Sequence, residues 1–168
     1  MFVLGIDPGL SRCGYGAVQH TTAGPRARAV GVIRTSPSDD LPDRLHELQG
    51  ELRALMAELR PDVVAVERVF FQTNVRTAMA VGQASGIAMA EAVACGCEVV
   101  QYTPNEVKLA VAGDGSADKV QVQQMVQRLL GLARPPKPAD AADAAALALC
   151  HLAYAPARAR LAAAGGRR

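Results

Sequence analysis

Two short, wholly apolar runs each close on an acid, and this pattern constrains the fold more than any other feature of the chain. Phe2-Val3-Leu4-Gly5-Ile6 leads into Asp7, and Val63-Val64-Ala65-Val66 leads into Glu67. Short apolar runs without polar alternation belong to strands buried on both faces, which arise where helices cover both sides of a sheet. Between the two runs, Leu45, Leu48, Leu52, Leu55, Met56 and Leu59 recur at helical spacing from Leu41 onward, and Pro61 ends the series. The chain must therefore fold as α/β. A carboxylate at the end of a buried strand is costly to desolvate and tends to hold a proton unless something cationic faces it. Both strand ends need such a partner.

The remaining segments fill in a mixed sheet. Gly14 to His20 and Arg28 to Thr35 read as two further strands, joined through a hairpin loop over Thr21–Pro25. Residues 75–95 form a helix rich in small residues (Gly82, Ala84, Ser85, Gly86, Ala88, Ala90), a face that admits another helix closely, in the core or across a dimer. Cys97 to Thr103 is the fifth strand. Thr103-Pro104-Asn105-Glu106 then carries an N-cap, a Pro at the first helical position and a capping-box Glu. Ser116 can cap a helix to about Leu130, with Val122, Met125, Val126, Leu129 and Leu130 as its apolar face. Pro135, Pro136 and Pro138 lead stiffly into a last helix over 139–155 that ends before Pro156. The expected fold is a five-stranded mixed sheet flanked by helices, in one domain over 1–156, with a basic, disordered tail over 157–168.

Bulk properties exclude several classes. With 168 residues, half of them hydrophobic and a fifth charged, the chain is long enough for one real core. No apolar run nears the roughly 20 residues of a membrane span, and the first residues carry no basic region or cleavage site of a secretory signal. Cys13, Cys95, Cys97 and Cys150 include no C-x-x-C pair, and His46 and His151 lie far from them in sequence, which argues against zinc and suits a reducing cytosol. Net charge is +2, but without the terminal Arg158, Arg160, Arg167 and Arg168 it becomes −2. Nucleic acid would thus be met through a local basic patch and bound cations rather than bulk charge.

Asp140 and Asp143 are three residues apart in an alanine-rich helical stretch, so both project from one face, about 4.5 Å apart along the axis. Alone, each acid has an ordinary reading. Helix N-terminal acids complement the dipole, Asp7 suits the turn before Pro8-Gly9, and Glu67 could pair with Arg68 or Arg76. Together, two strand-end acids and a helix pair are easily brought to one sheet edge, where divalent cations would stabilise them.

Gly5-Ile6-Asp7-Pro8-Gly9, Val66-Glu67-Arg68-Val69-Phe70, Gly82-Gln83-Ala84-Ser85-Gly86 and Ala139-Asp140-Ala141-Ala142-Asp143-Ala144 together resemble the RuvC family of Holliday-junction resolvases, over about residues 2 to 155. The resemblance implies an RNase H-like fold, a homodimer, and paired symmetric nicks across a four-way DNA junction in recombination and repair. It matches Asp7, Glu67, Asp140 and Asp143 to four catalytic metal ligands. It implies two Mg²⁺ per subunit, replaceable by Mn²⁺, and products with a 5′-phosphate. Phe70 matches an aromatic near the junction crossover. Asn74, Lys108 and Lys119 match DNA-contact positions, and Arg76 is counted with them. Arg68 stands where relatives can carry Gln, and Thr73 where they can carry Lys. Further implications are partnership with the RuvA–RuvB branch-migration complex and a place in the bacterial cytoplasm, at the nucleoid.

Rival readings remain. Asp7-Pro8-Gly9-Leu10-Ser11 also resembles the phosphate loop of actin-like ATPases and sugar kinases, but those need two lobes and a second phosphate loop. A non-catalytic nucleic-acid module would gain nothing from four clustered acids. An RNase H-like nuclease acting on RNA is the narrower rival.

Overall fold

The computed structural model describes residues 1–68 and 75–165. Five strands, β1 (Phe2–Asp7), β2 (Arg12–Thr21), β3 (Gly24–Arg34), β4 (Val63–Glu67) and β5 (Glu98–Tyr102), form one sheet in the order β3-β2-β1-β4-β5. The β1–β2 and β2–β3 pairs are antiparallel, whereas β1–β4 and β4–β5 are parallel. The mixed α/β sheet is the one expected from the sequence. The hairpin is tighter than expected, because Thr21 already pairs with Gly24.

Strand alternation splits the core in two. On one face Leu4, Ile6, Val64 and Val66 meet α1 (Leu41–Leu59) and α2 (Val75–Ala94) through Leu48, Leu52, Met56, Ala84, Ala88 and Ala92. Leu48 and Leu52 are fully buried, and truncating either to Ala would cost about 2–5 kcal/mol. On the other face Val3, Ala65 and Val100 meet α3 (Pro104–Ala112), α4 (Lys119–Leu130) and α5 (Ala139–Gly165). α1 and α2 are also tied by charge. Both oxygens of the buried Glu91 accept from Arg53 at 2.8 and 2.9 Å, and Gln49 donates at 2.5 Å. These donors, Arg53 foremost, hold the Glu91 carboxyl below its ordinary range.

Three local expectations change. α4 is capped by Asp118 in a reciprocal box with Gln121, not by Ser116, whose backbone N and hydroxyl both bond Asp114 at 2.8 Å. Leu129 lies outside that helix's buried face and is exposed. α5 does not stop before Pro156 but runs through it to Gly165, so a disordered tail beginning at 157 is not found. Pro156 is exposed, the flanking Ala155 and Ala157 favour helix, and Arg158 reaches Glu98 on β5 at 3.4 Å. Among the described residues, no helix is long and apolar enough to cross a membrane.

α5 lies unusually close to the sheet because the strands beneath it are bare. A Cβ on Gly5 of β1 would strike the carbonyl oxygen of Ala144, and one on Gly14 of β2 would strike that of Asp140. Strand glycines thus let the backbone of α5 rest on strand backbone, at Asp140 in its first turn and again at Ala144.

Candidate metal centre

That seam builds the site. Asp7 ends β1 opposite Gly14 of β2, and the first turn of α5 sits over Gly14 with Asp140. The parallel register Ile6↔Val66 sets Glu67, the next residue of β4, beside Asp7. Asp143 follows Asp140 by one helical turn on the same face. The four acids expected to meet at one sheet edge do so.

Their mutual effect is large. Burial first, then the charges of Glu67, Asp143 and Asp140, push the Asp7 carboxyl from 3.8 up to about 8. Glu67 is also raised, chiefly by burial, and the two side chains share a hydrogen bond. At neutral pH the pair therefore holds a proton. The outer acids take cations: Lys119 Nζ lies 2.7 Å from Asp143 Oδ2, and Arg12 Nε lies 3.4 Å from Asp140 Oδ2. The bond to Asp143 is also what most raises the Lys119 ammonium.

Among the described residues, no three acids already converge tightly enough to clasp an ion. The donor chemistry nevertheless fits hard divalent cations: the group offers carboxylate oxygens only, and burial disfavours the negative charge of Asp7 and Glu67. A cation between them would displace the proton from Asp7 and relieve the repulsion.

Asp7, Glu67 and Asp143 line a cleft of about 220 Å³ together with Lys108 and Lys119. Lys108 is carried by α3, whose capping box Thr103–Glu106 fixes its start, and Lys119 is the first residue of α4. Arg76, in the first turn of α2, lies on the other side of Asp7 in a second cleft. Phe70, Thr73 and Asn74 lie outside the described residues. Arg12 and Arg44, which the sequence did not single out, also line the second cleft.

α2 presents two different small-residue faces. Ala84, Ser85, Ala88 and Ala92 pack inward, while Val75, Met79, Gly82, Gly86, Ala90 and Val93 form an exposed stripe. Met79 is 62% and Val93 66% exposed, and a Cβ on Gly82 or Gly86 would meet open space.

The model of a family described as crossover junction endodeoxyribonuclease RuvC matches residues 3–151. A protein of that name from Salinispora arenicola is 56% identical over 168 residues, covering 99% of this chain and 96% of its own. The corresponding protein from Streptomyces avermitilis is 54% identical over 162 residues, 96% of this chain and 92% of its own. Among solved structures, Thermus thermophilus RuvC superposes with a TM-score of 0.86 at 37% identity, covering 93% of this chain and 96% of that one. The same bacterium's RuvC in complex with a Holliday junction substrate gives 0.87 at 38% identity, covering 92% and 94%. The yeast mitochondrial resolvase Ydc2 shares the fold, with a TM-score of 0.68 at 17% identity over 90% of this chain and 78% of that one.

Proposed function

Because the chain belongs to the crossover junction endodeoxyribonuclease RuvC family, we propose that it resolves four-way DNA junctions by paired symmetric nicks, with Asp7, Glu67, Asp140 and Asp143 as the catalytic acids. The observation that carries this reading is the acid cluster at the sheet edge, where three neighbours and burial raise Asp7 to about 8. Two divalent cations per subunit, Mg²⁺ or in its place Mn²⁺, would be held by these four acids and supply the Lewis acidity that activates water and offsets charge on the leaving 3′ oxygen. The residues of the chain do the rest. Asp7 and Glu67 give up their shared proton, and the neighbouring carboxylates orient the attacking water in line with the phosphorus. Lys119, freed from Asp143, faces the charge that builds on the phosphate. Lys108, Arg76 and Asn74 hold the DNA backbone while the water oxygen bonds to phosphorus and the bond from phosphorus to the 3′ oxygen breaks. The water loses a proton to solvent and the 3′ oxygen takes one up, leaving a 5′-phosphate and a 3′-hydroxyl.

Two symmetric nicks need two sites related by a two-fold axis, so the working unit is a homodimer. The exposed stripe of α2 supports a contact between copies there, since its open glycines allow close helix approach. Gly86→Glu tests this, because a Cβ added there meets nothing within 4 Å in the monomer. Sedimentation is expected to shift from about twice 17.6 kDa toward 17.6 kDa, and the nicks to become uncoordinated. A dimer that persists with coordinated nicking places the interface elsewhere. Residues 1–156 form the nuclease unit, and the Arg-bearing end beyond them adds modestly to affinity. The natural setting is recombination and DNA repair at the bacterial nucleoid, alongside the RuvA–RuvB branch-migration complex.

The deciding experiment offers a synthetic four-way junction, a linear duplex and an RNA–DNA hybrid, with and without Mg²⁺. Symmetric Mg²⁺-dependent nicking of the junction alone is expected. Equal cutting of duplex, or preference for the hybrid, overturns the junction reading.

A further inference from the structure

Asp7 stands on a ridge between two clefts. Lys108 and Lys119 bound the first. The second, about 490 Å³, is walled by the loop after β1 with Ser11, by Arg12 at the start of β2, by Arg44 of α1 and by Arg76 of α2, and it opens onto Asp7 and Asp140. Among the described residues those two are the only acids lining it, so three arginines share a cleft with Asp7 and Asp140 on the side opposite the lysines.

Arg44 is held by two side-chain bonds. Its Nε donates to Thr35 Oγ1 at 3.1 Å and a terminal nitrogen donates to Ser11 Oγ at 2.6 Å. Thr35, itself 4% exposed, donates to the carbonyl of Leu10 at 2.6 Å. These bonds use two of the five N–H donors of the guanidinium and fix its plane before any ligand arrives. A pre-fixed guanidinium loses little freedom on binding and suits the paired oxygens of a phosphate. Arg12 differs, since its exposed side chain is drawn to Asp140 at 3.4 Å. A cation on Asp140 would release it into the same cleft.

We propose that this second cleft binds a phosphodiester of the DNA strand beside the acid cluster through Arg12, Arg44 and Arg76, so that the strand crosses Asp7 between two basic walls. The inference rests on the junction-cutting reading and adds a DNA-holding role for Arg12 and Arg44. A purely structural role for Arg44, bracing the loop after β1, is the alternative to be separated from it.

Binding of a fluorescent four-way junction and of a linear duplex, measured across a salt series with Ca²⁺ in place of Mg²⁺ to slow cutting, makes the separation. Each phosphate contact contributes about one unit to the slope of log affinity against log salt. Arg12→Gln and Arg44→Gln are each expected to lower that slope by about one unit, while Arg44→Lys keeps the slope despite a lower thermal midpoint. A wild-type slope in either Gln variant overturns the proposal, and a destabilised Arg44→Gln with an unchanged slope identifies Arg44 as a brace alone. If Arg44→Gln does not fold, the exposed Arg12→Gln decides. A wild-type protein that binds junction no better than duplex would instead overturn the junction reading, while the slope contrast would still be readable on either DNA.

Discussion

Asp7→Asn is expected to abolish junction cutting and, in chelator at pH 8, to make the protein more resistant to heat. Burial and three neighbouring acids raise the wild-type carboxyl from 3.8 to about 8, so the fold favours its neutral form. The sign follows directly. The stabilising effect of the protonated group is complete below about pH 4 and is lost as pH rises through 8. Asn keeps the shape, carries no charge at any pH, and can donate an N–H to Glu67. The variant should therefore gain on the order of a few kcal/mol over the metal-free wild type at pH 8, or roughly 5–10 °C in thermal midpoint. Cutting should fall by roughly 10³-fold or more, equivalent to about 4 kcal/mol of transition-state stabilisation. Mg²⁺ should raise the midpoint of the wild type at pH 8 far more than that of Asp7→Asn. Calorimetry from pH 5 to 9, with and without Mg²⁺, reads all of this. A metal-free wild-type midpoint that does not decline toward pH 8 would sink the account of Asp7, and near-normal cutting by the variant would sink its catalytic role.

Phe70→Ala is expected to slow cutting of intact junctions by roughly 5- to 150-fold while leaving the thermal midpoint and metal binding nearly unchanged. Phe70 and Phe71 are two of only three phenylalanines, and they follow Glu67 by three and four residues. Both lie outside the described residues; if that segment is extended, the two would face opposite sides and only one would meet DNA. The family resemblance gives the DNA-facing role to Phe70. Stacking a base on an aromatic contributes about 1–3 kcal/mol, which sets the range of the slowing and matches the few kcal/mol needed to unstack one base. Such a wedge can hold open a weakened junction centre but cannot invade an intact duplex. A junction with unpaired bases at its centre should therefore rescue the variant in part. Wild-type rates on intact junctions would make Phe70 a packing residue instead.

What the sequence revealed and what it hid divide along a physical line. The four acids were legible because Asp7 and Glu67 each close a short apolar run and Asp140 and Asp143 open an alanine-rich helix, and strand and helix ends gather at a sheet edge. The α3 capping box was legible because all its bonds close within four residues, Thr103 to Glu106. Ser116 was expected to cap α4, but its backbone N and hydroxyl are taken by Asp114 and Asp118 forms the cap instead, a choice that local spacing does not reveal. Pro156 reads as a stop in any local rule, yet the helix passes it where the proline faces solvent. Arg44 was hidden because its partners lie 9 and 33 residues away, across the sheet edge. The seam at Gly5 and Gly14 was hidden for a different reason: in sequence a strand glycine only weakens a strand, and its purpose appears when α5 is in place.

That seam sets the tolerance of the whole centre. Elsewhere in the core, a changed side chain is absorbed by its neighbours shifting rotamer. Between Gly14 and Asp140 there are no side chains to shift, so the spacing from Asp7 to the start of α5 is ruled by main chain alone. Mg²⁺ requires oxygens near 2.0–2.1 Å in a nearly regular octahedron, whereas Ca²⁺ accepts about 2.3–2.6 Å and irregular shells. A gauge made of backbone would suit the stricter ion proposed above, and Gly14→Ala, which drives a methyl group into the Asp140 carbonyl, is expected to weaken Mg²⁺ binding more than Ca²⁺ binding.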